Sequence, residues 1–331
     1  MKGRRSSTTA SDCRRVALHA DDLGMNQAVT DGIFRAFSHG LLTSTSLLAN
    51  APDAARAMTR WSELARAQQA AELPSSPQRR QLGDPVQPFD LGIHWNLTQG
   101  RPLTASRYPA ELLDSQGRFP GLFVLFRRLQ CGGSRFRAAL MEELSRQTQF
   151  ILDHGVRPTH LNGHQYIELF PAVARLLPTL LEKFHIRVVR VAREPALWQS
   201  LCGRDLGPRG KLFAAAQQIY AGPFRRRVDR AGIAHPDAYF GVALAGRIEM
   251  RWIRAFLKQS FATAEICLHP ADTATASVHD TVDDGASGWY DPLADLRPKE
   301  LEMLVSAELA EYLMFQGVKL GRLGELTGAE K

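Results

Sequence analysis

The sequence contains few cysteines, and their spacing does not fit a metal-binding or disulfide motif. Four occur in 331 residues, at Cys13, Cys131, Cys202 and Cys267, and no pair forms a Cys-x-x-Cys motif. This spacing argues against a disulfide framework and against a zinc ribbon. We therefore expect a protein of a reducing compartment, the cytoplasm.

Long apolar segments are also missing. No run approaches the roughly 20 residues that a membrane-spanning helix needs, so no transmembrane segment is predicted. The basic N-terminus, rich in Ser and Thr, leads directly into the short apolar run 16–18. Because the apolar stretch of a secretory signal is absent there, we expect residues 1–14 to form a disordered basic tail.

Acidic residues are outnumbered, and nucleotide-binding fingerprints are absent. The formal net charge is +7 and the sequence pI is about 9.5. This balance favours anionic partners, although an arginine-rich surface with no special partner stays open. The arginine clusters are scattered and lack interleaved aromatic residues, so we expect no nucleic acid partner. The first strand is followed by no G-x-G-x-x-G, and no phosphate-binding G-x-x-x-x-G-K-[ST] occurs.

The pattern that is present alternates short apolar runs with amphipathic helices, which is typical of a largely parallel α/β fold. About seven strands are predicted, at residues 16–20, 43–48, 89–97, 157–161, 186–191, 264–268 and 318–320. In a chain of this length they favour a single domain with a modified (β/α) TIM-like barrel over an open, doubly wound sheet. We expect the domain to cover residues 15–328, with a flexible loop at about 66–88 where helix and strand breakers cluster.

Helix predictions follow from apolar residues at helical spacing. One stripe runs from Pro171, at a first-turn position, to Phe184, and another runs from Pro298 to Leu313. Each stripe predicts one helix. The stretch 200–240 is rich in Arg and Gly and shows no clear period, which leaves an insertion or a binding loop open.

Polar residues stand at the ends of four predicted strands, where an apolar residue would be ordinary. These residues are Asp21 and Asp22 in the first, His94 in the third, His160 and His164 in the fourth, and His269 in a later one. The carboxyl ends of barrel strands converge on one face. A carboxylate and two imidazoles can hold a divalent ion and leave positions open for substrate. Spacing alone therefore supports a metal-dependent hydrolase or lyase.

Ordinary structural roles for these residues stay open at this point. Asp21 and Asp22 could form a turn and a helix cap, and His94 could be a hydrogen-bonded core residue. In an extended strand, adjacent residues point to opposite faces. Asp21 and Asp22 can therefore serve one site together only if the strand ends between them.

Five sequence blocks, taken in order, carry a family resemblance. They are ADDLGMN at 20–26, GLLTSTSLLAN at 40–50, LGIHWNLT at 91–98, PTHLNGH at 158–164 and ICLHP at 266–270. Together they resemble the YdjC-like carbohydrate deacetylases, which include chitooligosaccharide deacetylases and hopanoid-biosynthesis-associated deacetylases. The likeness extends from about residue 16 to about residue 326.

The resemblance implies a modified (β/α) barrel that removes N-acetyl groups from sugars with a divalent metal. By position, Asp22, His94 and His164 look like the metal ligands. Asp21 looks like the general base and His269 like the general acid. Mg is favoured as the metal, with Zn as the alternative. The implied substrate is an N-acetylated amino sugar, in an oligosaccharide or linked to a lipid or nucleotide. A phosphate group on this substrate would be compatible with the positive net charge of the protein.

Three further residues are expected to contact the sugar, namely Trp95, Asn162 and Tyr166. For Trp95 and Tyr166, packing in the core or at the rim is an equal alternative. The family often has Asp where Asn162 stands, and histidines where this chain has Gln165. A homodimer stays open. Two other functions also stay open, a hydrolase of another amide or of a phosphoester, and a sugar-binding protein without catalysis.

Overall fold

The computed structural model describes residues 14–69, 82, 90–130, 133–195, 208–274 and 288–326. The predicted tail lies almost wholly outside these residues, as does most of the predicted loop at 66–88. Within them the eight strands are β1 Arg15–Leu23, β2 Ser44–Leu47, β3 Leu91–Trp95, β4 His160–Gly163, β5 Val188–Val189, β6 Ala238–Phe240, β7 Thr263–Leu268 and β8 Lys319–Leu320.

The strands form one curled, parallel sheet. Its order is β5-β4-β3-β2-β1-β7-β6, and β8 pairs with the start of β1. An isolated parallel bridge joins Val188 in β5 to Ala234, just before β6, and so links the two edges. The seven parallel strands of this order, surrounded by helices, confirm the predicted modified TIM-like barrel.

The helices cover the outside of this sheet. They are α1 Gln27–His39, α2 Ala54–Gln69, α3 Leu122–Gln130, α4 Ser134–Asp153, α5 Pro171–Ala174, α6 Leu177–Phe184, α7 Pro208–Arg230, α8 Met250–Phe256, α9 Arg297–Leu304 and α10 Ala307–Phe315. No helix in the part of the chain described here has the length and apolarity to span a membrane.

Local sequence explains the first β-α unit. Val16, Leu18 and Ala20 of β1 are fully buried, as expected for a parallel strand that is covered on both faces. Asn26 caps α1 by accepting a hydrogen bond from the Val29 backbone N–H at 2.9 Å. Gly40 follows the last residue of the helix, and its backbone N–H donates to the carbonyl oxygen of Ala36.

Three elements differ from the sequence predictions. The predicted helix 171–184 is two helices, α5 and α6, and Pro178 in the first turn of α6 has no N–H to continue a single ladder. The predicted helix 298–313 is also divided, because Ser306 caps a new helix by accepting from the Leu309 N–H at 3.2 Å. The unassigned stretch 200–240 contains α7 and the additional strand β6.

Candidate active site

A pocket with a volume of about 960 Å³ opens at the carboxyl ends of the strands. It is therefore within the usual size range of small-molecule sites. Five of the predicted strand-end residues line it, namely Asp21, Asp22, His94, His164 and His269. The structure thus brings polar residues from the ends of β1, β3, β4 and β7 together in one pocket. His160, the sixth predicted strand-end residue, begins β4 instead, is fully buried and does not line this pocket.

A distortion at the end of β1 lets two adjacent aspartates serve the same pocket. The pairing register between β1 and β2 shifts between Ala20 and Leu23. Asp22 has a φ of 70°, in the left-handed region that residues other than glycine rarely adopt. The regular alternation of side chains is therefore broken between Asp21 and Asp22. Such strain is concentrated at functional sites in proteins.

Asp22, His94 and His164 form a group that can hold a divalent ion. One ligand atom from each lies within 4.8 Å of the others. The Asp22 Oδ1 atom is 3.4 Å from His94 Nε2 and 3.0 Å from His164 Nδ1. Two imidazoles therefore converge on one carboxylate oxygen, which is a donor set found in metal sites with open positions.

Asn162 sets the proton position on His94. The Asn162 Nδ2 atom donates to Asp21 Oδ1 at 2.9 Å, which turns the amide oxygen toward His94. That oxygen lies 2.8 Å from His94 Nδ1, so Nδ1 carries the proton. With Nδ1 protonated, Nε2 is the His94 atom that faces Asp22 and that would bind an ion after losing its own proton. Burial lowers the pKa of His94, but the Asp21 and Asp22 carboxylates outweigh it and raise that pKa. An outer hydrogen bond of this kind commonly orients a metal-ligating histidine.

Asp21 belongs to a buried ion-pair network with Arg190 and Glu265. The Arg190 guanidinium contacts both Asp21 oxygens, at 2.7 and 2.8 Å, and its Nε donates to Glu265 Oε1 at 2.8 Å. Burial opposes ionisation of Asp21, but Arg190 and His94 outweigh it and hold its pKa well below the usual range. Asp21 is therefore a carboxylate at neutral pH.

Asp22 forms a buried ion pair with a different arginine, Arg297. Arg297 Nη2 donates to Asp22 Oδ2 at 2.8 Å, while Arg297 Nε donates to Asp291 Oδ2 at 2.7 Å. Burial again opposes ionisation, and Arg297 together with His164 keeps the pKa of Asp22 well below its usual range. The oxygen facing the two imidazoles, Oδ1, is the one that Arg297 leaves available.

His269 directly follows β7 and lines the same pocket. Its Nε2 atom is 4.0 Å from Asp21 Oδ2, and its backbone N–H donates to the Glu300 carboxylate. Burial lowers the pKa of His269 to about 4, despite the nearby Asp22 and Asp21 carboxylates. The ring is therefore neutral at pH 7, and it would donate a proton only after receiving one.

A second group, of His19, Asp21 and Cys267, also has metal-ligand spacing. Arg190 occupies the space around it, with Nη2 at 2.8 Å from Asp21 Oδ1 and 3.2 Å from His19 Nδ1. A guanidinium cation at this position opposes a second cation. The group containing Asp22 is therefore the better candidate metal centre.

Comparison with known proteins identifies the family. A model of the family described as YdjC-like protein matches residues 15–314. The chain belongs to the YdjC-like family. It is 28% identical to a human carbohydrate deacetylase over 94% of this chain and 91% of the relative. It is 27% identical to the chitooligosaccharide deacetylase of Yersinia enterocolitica, over 92% and 96% of the two chains.

A solved structure supports the fold alone. The crystal structure of a candidate cellobiose-phosphate cleavage protein from Enterococcus faecalis aligns with a TM-score of 0.62 at 19% identity. The alignment covers 95% of this chain and 99% of that one. The fold is thus recognisable at low sequence identity.

The three predicted sugar contacts of this YdjC-like protein lie in different places. Tyr166 lines the pocket, and its hydroxyl is 3.1 Å from that of Tyr239. Asn162 is fully buried and bonds to site residues. Trp95 is not brought to the pocket, because it is fully buried and its Nε1 donates to Thr148 of α4 at 3.0 Å.

Aromatic residues that the sequence predictions missed do line the pocket. Trp289 and Tyr290 both belong to its wall, and Tyr290 is 58% exposed. Gly100 makes room for Trp289, since a Cβ atom there would lie 2.3 Å from the indole nitrogen. Neither residue stands in a strand, so the convergence of strand ends gave no signal for them.

Glu168 gives the barrel a pH-dependent stability. Its carboxylate is fully buried without a hydrogen-bond partner in the described residues, and burial raises its pKa from 4.5 to about 8. Between these values the folded state holds a proton that the unfolded chain has released, so stability falls as the pH rises.

We expect Glu168→Gln, which mimics the protonated acid, to be more stable than the wild type at pH 8 and to differ little at pH 5. Urea unfolding at both pH values measures the two free energies. An equal difference at pH 5 and pH 8 would contradict a protonated Glu168.

Proposed function

We propose that this protein is a metal-dependent hydrolase that removes the N-acetyl group from an N-acetylated amino sugar, giving acetate and a free amine. The observation that carries the proposal is the convergence of Asp21, Asp22, His94, His164 and His269 in one pocket. The names of the curated relatives, carbohydrate deacetylase and chitooligosaccharide deacetylase, support the choice of bond.

The donor set fits a divalent ion held by Asp22, His94 and His164. A bound ion supplies Lewis acidity that stabilises negative charge on the amide oxygen during attack. We favour Mg, although two imidazoles among three donors suit Zn as well. Arg297 holds Asp22 ionised, and Asn162 keeps His94 Nε2 directed at the centre.

Asp21 is the proposed general base, because it is ionised, lines the pocket and lies outside the proposed ligand set. It accepts a proton from the attacking water, while Arg190 and Asn162 fix its orientation. His269, 4.0 Å from Asp21, is the proposed proton donor to the leaving amine. Since its ring is neutral at rest, it first takes up the proton that Asp21 has accepted. Proton transfer of this kind contributes about 10²- to 10⁴-fold to a rate.

The pocket wall suits a sugar ring. Trp289, Tyr290 and Tyr166 present aromatic surface near the polar floor. The volume of about 960 Å³ accommodates more than one sugar unit, so an oligosaccharide or a sugar with a linked group is compatible with it.

Acetate release tests the proposal directly. Metal-stripped protein is reloaded with Mg or Zn and offered free N-acetyl monosaccharides, chitooligosaccharides, and nucleotide- and lipid-linked N-acetyl sugars. We expect release only from reloaded protein, with one ion more effective than the other. Binding of a sugar without acetate release would contradict the proposal, and phosphate release from phosphorylated members would point to the phosphoesterase alternative.

A further inference from the structure

A series of buried polar side chains in contact with one another lies beneath the site and takes no direct part in the proposed reaction. We call His19, His160 and Asp90 the histidine column. His19 precedes Asp21 by two residues in β1, His160 begins β4, and Asp90 immediately precedes β3. The two rings are fully buried and Asp90 is 3% exposed. The rings meet through their Nε2 atoms at 2.9 Å, a contact that requires one proton between them.

The Asp90 end of the column requires a proton on His160 Nδ1. This atom lies 2.9 Å from Thr159 Oγ1 and 3.3 Å from Asp90 Oδ2. The Thr159 hydroxyl donates to Asp90, since an ionised carboxylate only accepts. The hydroxyl oxygen is then an acceptor toward His160, and both neighbours of His160 Nδ1 accept.

The Asp21 end requires a proton on His19 Nδ1. This atom lies 3.2 Å from Asp21 Oδ1 and 3.2 Å from Arg190 Nη2. The Nη2 group has two protons, and its two closest acceptors are Asp21 Oδ1 and Glu265 Oε1. Neither proton remains for His19, whose Nδ1 therefore serves best as a donor to Asp21.

Two neutral imidazoles carry two ring protons, but these contacts require three. We propose that the His19–His160 pair holds three ring protons and thus one positive charge. His160 is the imidazolium beside Asp90. His19 is a neutral ring that donates its Nδ1 proton to Asp21.

The charges around the pair favour the additional proton. Among the described residues, the carboxylates facing it are Asp90, Asp21 and Glu265, and the guanidinium facing it is that of Arg190. The nearby Cys267 thiol is neutral, because burial raises its pKa well above the usual value. The pair thus faces three negative charges and one positive charge. One additional proton on the pair is therefore electrostatically favourable.

The shifts in pKa agree with this distribution. Burial lowers the pKa of His19 to about 4, which fits a neutral ring at this position. Burial opposes ionisation of Asp90, but His160 outweighs it and brings the pKa of Asp90 below its usual range. The geometry places the charge of the pair next to Asp90, whose Oδ2 atom is 3.3 Å from His160 Nδ1.

The sequence leaves space for this arrangement. Gly92 of β3 faces His160, and a Cβ atom at position 92 would lie 2.4 Å from the ring Nε2 atom. Any larger residue would displace the ring from its contact with His19. Because Gly92 has no side chain, it adds no charge beside the His19–His160 pair.

The column acts as a positioning device for the base, a consequence that rests on the proposed function. A neutral His19 with its proton on Nδ1 adds a donor to Asp21 and holds that carboxylate in place. His160 maintains this tautomer, because its own Nε2 proton occupies the His19 Nε2 lone pair. His160 and Asp90 are thus positioning residues that act through His19.

Nitrogen NMR of the full-length protein labelled with ¹⁵N-histidine tests the protonation directly. The His160 and His19 signals are assigned by their loss in His160→Gln and His19→Gln. At neutral pH we expect both His160 nitrogens and only Nδ1 of His19 to carry protons. A single proton on each ring would overturn the proposal.

Asp90→Asn provides the functional test, because it removes the charge but keeps the shape. We expect His160 to lose its additional proton and kcat to fall about tenfold, as is common for partners one step behind a site residue. KM and ion affinity should not change. Ser44→Ala is the matched control, since it removes a 3.2 Å hydrogen bond to Asp90 but keeps the charge.

Unchanged His160 protonation and unchanged kcat in Asp90→Asn would overturn the inference, as would an equal loss of kcat in Ser44→Ala. The NMR measurement does not depend on substrate. If the wild type released no acetate, the protonation of the column would still be decided, so failure of the proposed function is distinguishable.

Discussion

Asp21→Asn is expected to lower kcat for acetate release by about 10²- to 10⁴-fold, the usual contribution of a general base. The amide cannot accept a proton from water, yet it has the size of the carboxylate. Because Asp21 lies outside the group of Asp22, His94 and His164, ion binding should persist. Steady-state kinetics and calorimetric ion titration of the same preparation measure the two properties.

Stability is the necessary control for this variant. The substitution removes one of the two carboxylates that contact the buried Arg190, and breaking a buried ion pair commonly costs about 3–5 kcal/mol. Glu265 still contacts Arg190, so we expect a folded protein with a lower free energy of unfolding. A folded variant that retains wild-type kcat would refute the role of Asp21 as base.

Asp22→Asn is expected to abolish both ion binding and activity. The substitution removes the only negative charge in the candidate ligand group, whose other members are imidazoles. An ion at about 100 times its Kd should stabilise the wild type by about 2.7 kcal/mol. We expect no such stabilisation in the variant, and activity equal to that of chelated wild type. Thermal unfolding with and without Mg or Zn measures the difference.

Asp114→Asn is the matched control for Asp22→Asn. Asp114 lines the same pocket but pairs with Arg118, at 2.9 Å, and is not part of the ligand group. We expect this variant to keep the ion-dependent rise in melting temperature. If Asp22→Asn kept it as well, the proposed centre would be wrong.

The convergence of the strand-end residues was predictable because it depends on local pattern and on one rule of barrel geometry. The prediction that Trp95 contacts the sugar did not take into account that side chains alternate between the two faces of a strand. Neighbouring residues in a strand face opposite sides, so with His94 facing the pocket, Trp95 faces the helix layer. The structure shows this arrangement, with Trp95 bonded to Thr148.

The two site arginines were not predictable in the same way. Arg190 meets Asp21 across 169 residues of chain, and Arg297 meets Asp22 across 275. No local period connects such distant positions. A charged residue directly after the apolar pair Val188–Val189 was the one available signal for Arg190, since a buried charge in a strand needs a partner.

The distortion at the end of β1 could not be predicted from the sequence either. Alternation left open whether Asp21 and Asp22 could act together, and the left-handed φ of Asp22 resolves it. A backbone conformation that is unfavourable by itself persists only where surrounding contacts hold it, here the contacts of Asp22 with Arg297 and His164.

The separate arginine partners of the two aspartates have a consequence for how the site can diverge. Arg190 and Glu265 contact Asp21 or each other, whereas Arg297 and Asp291 do so with Asp22, and among the described residues the two ion-pair networks share no arginine or counter-carboxylate. Inheritance can therefore change the arginine partner of the proposed base without changing that of the proposed metal ligand. His94 and Asn162 are then the side chains through which a change at one aspartate reaches the other.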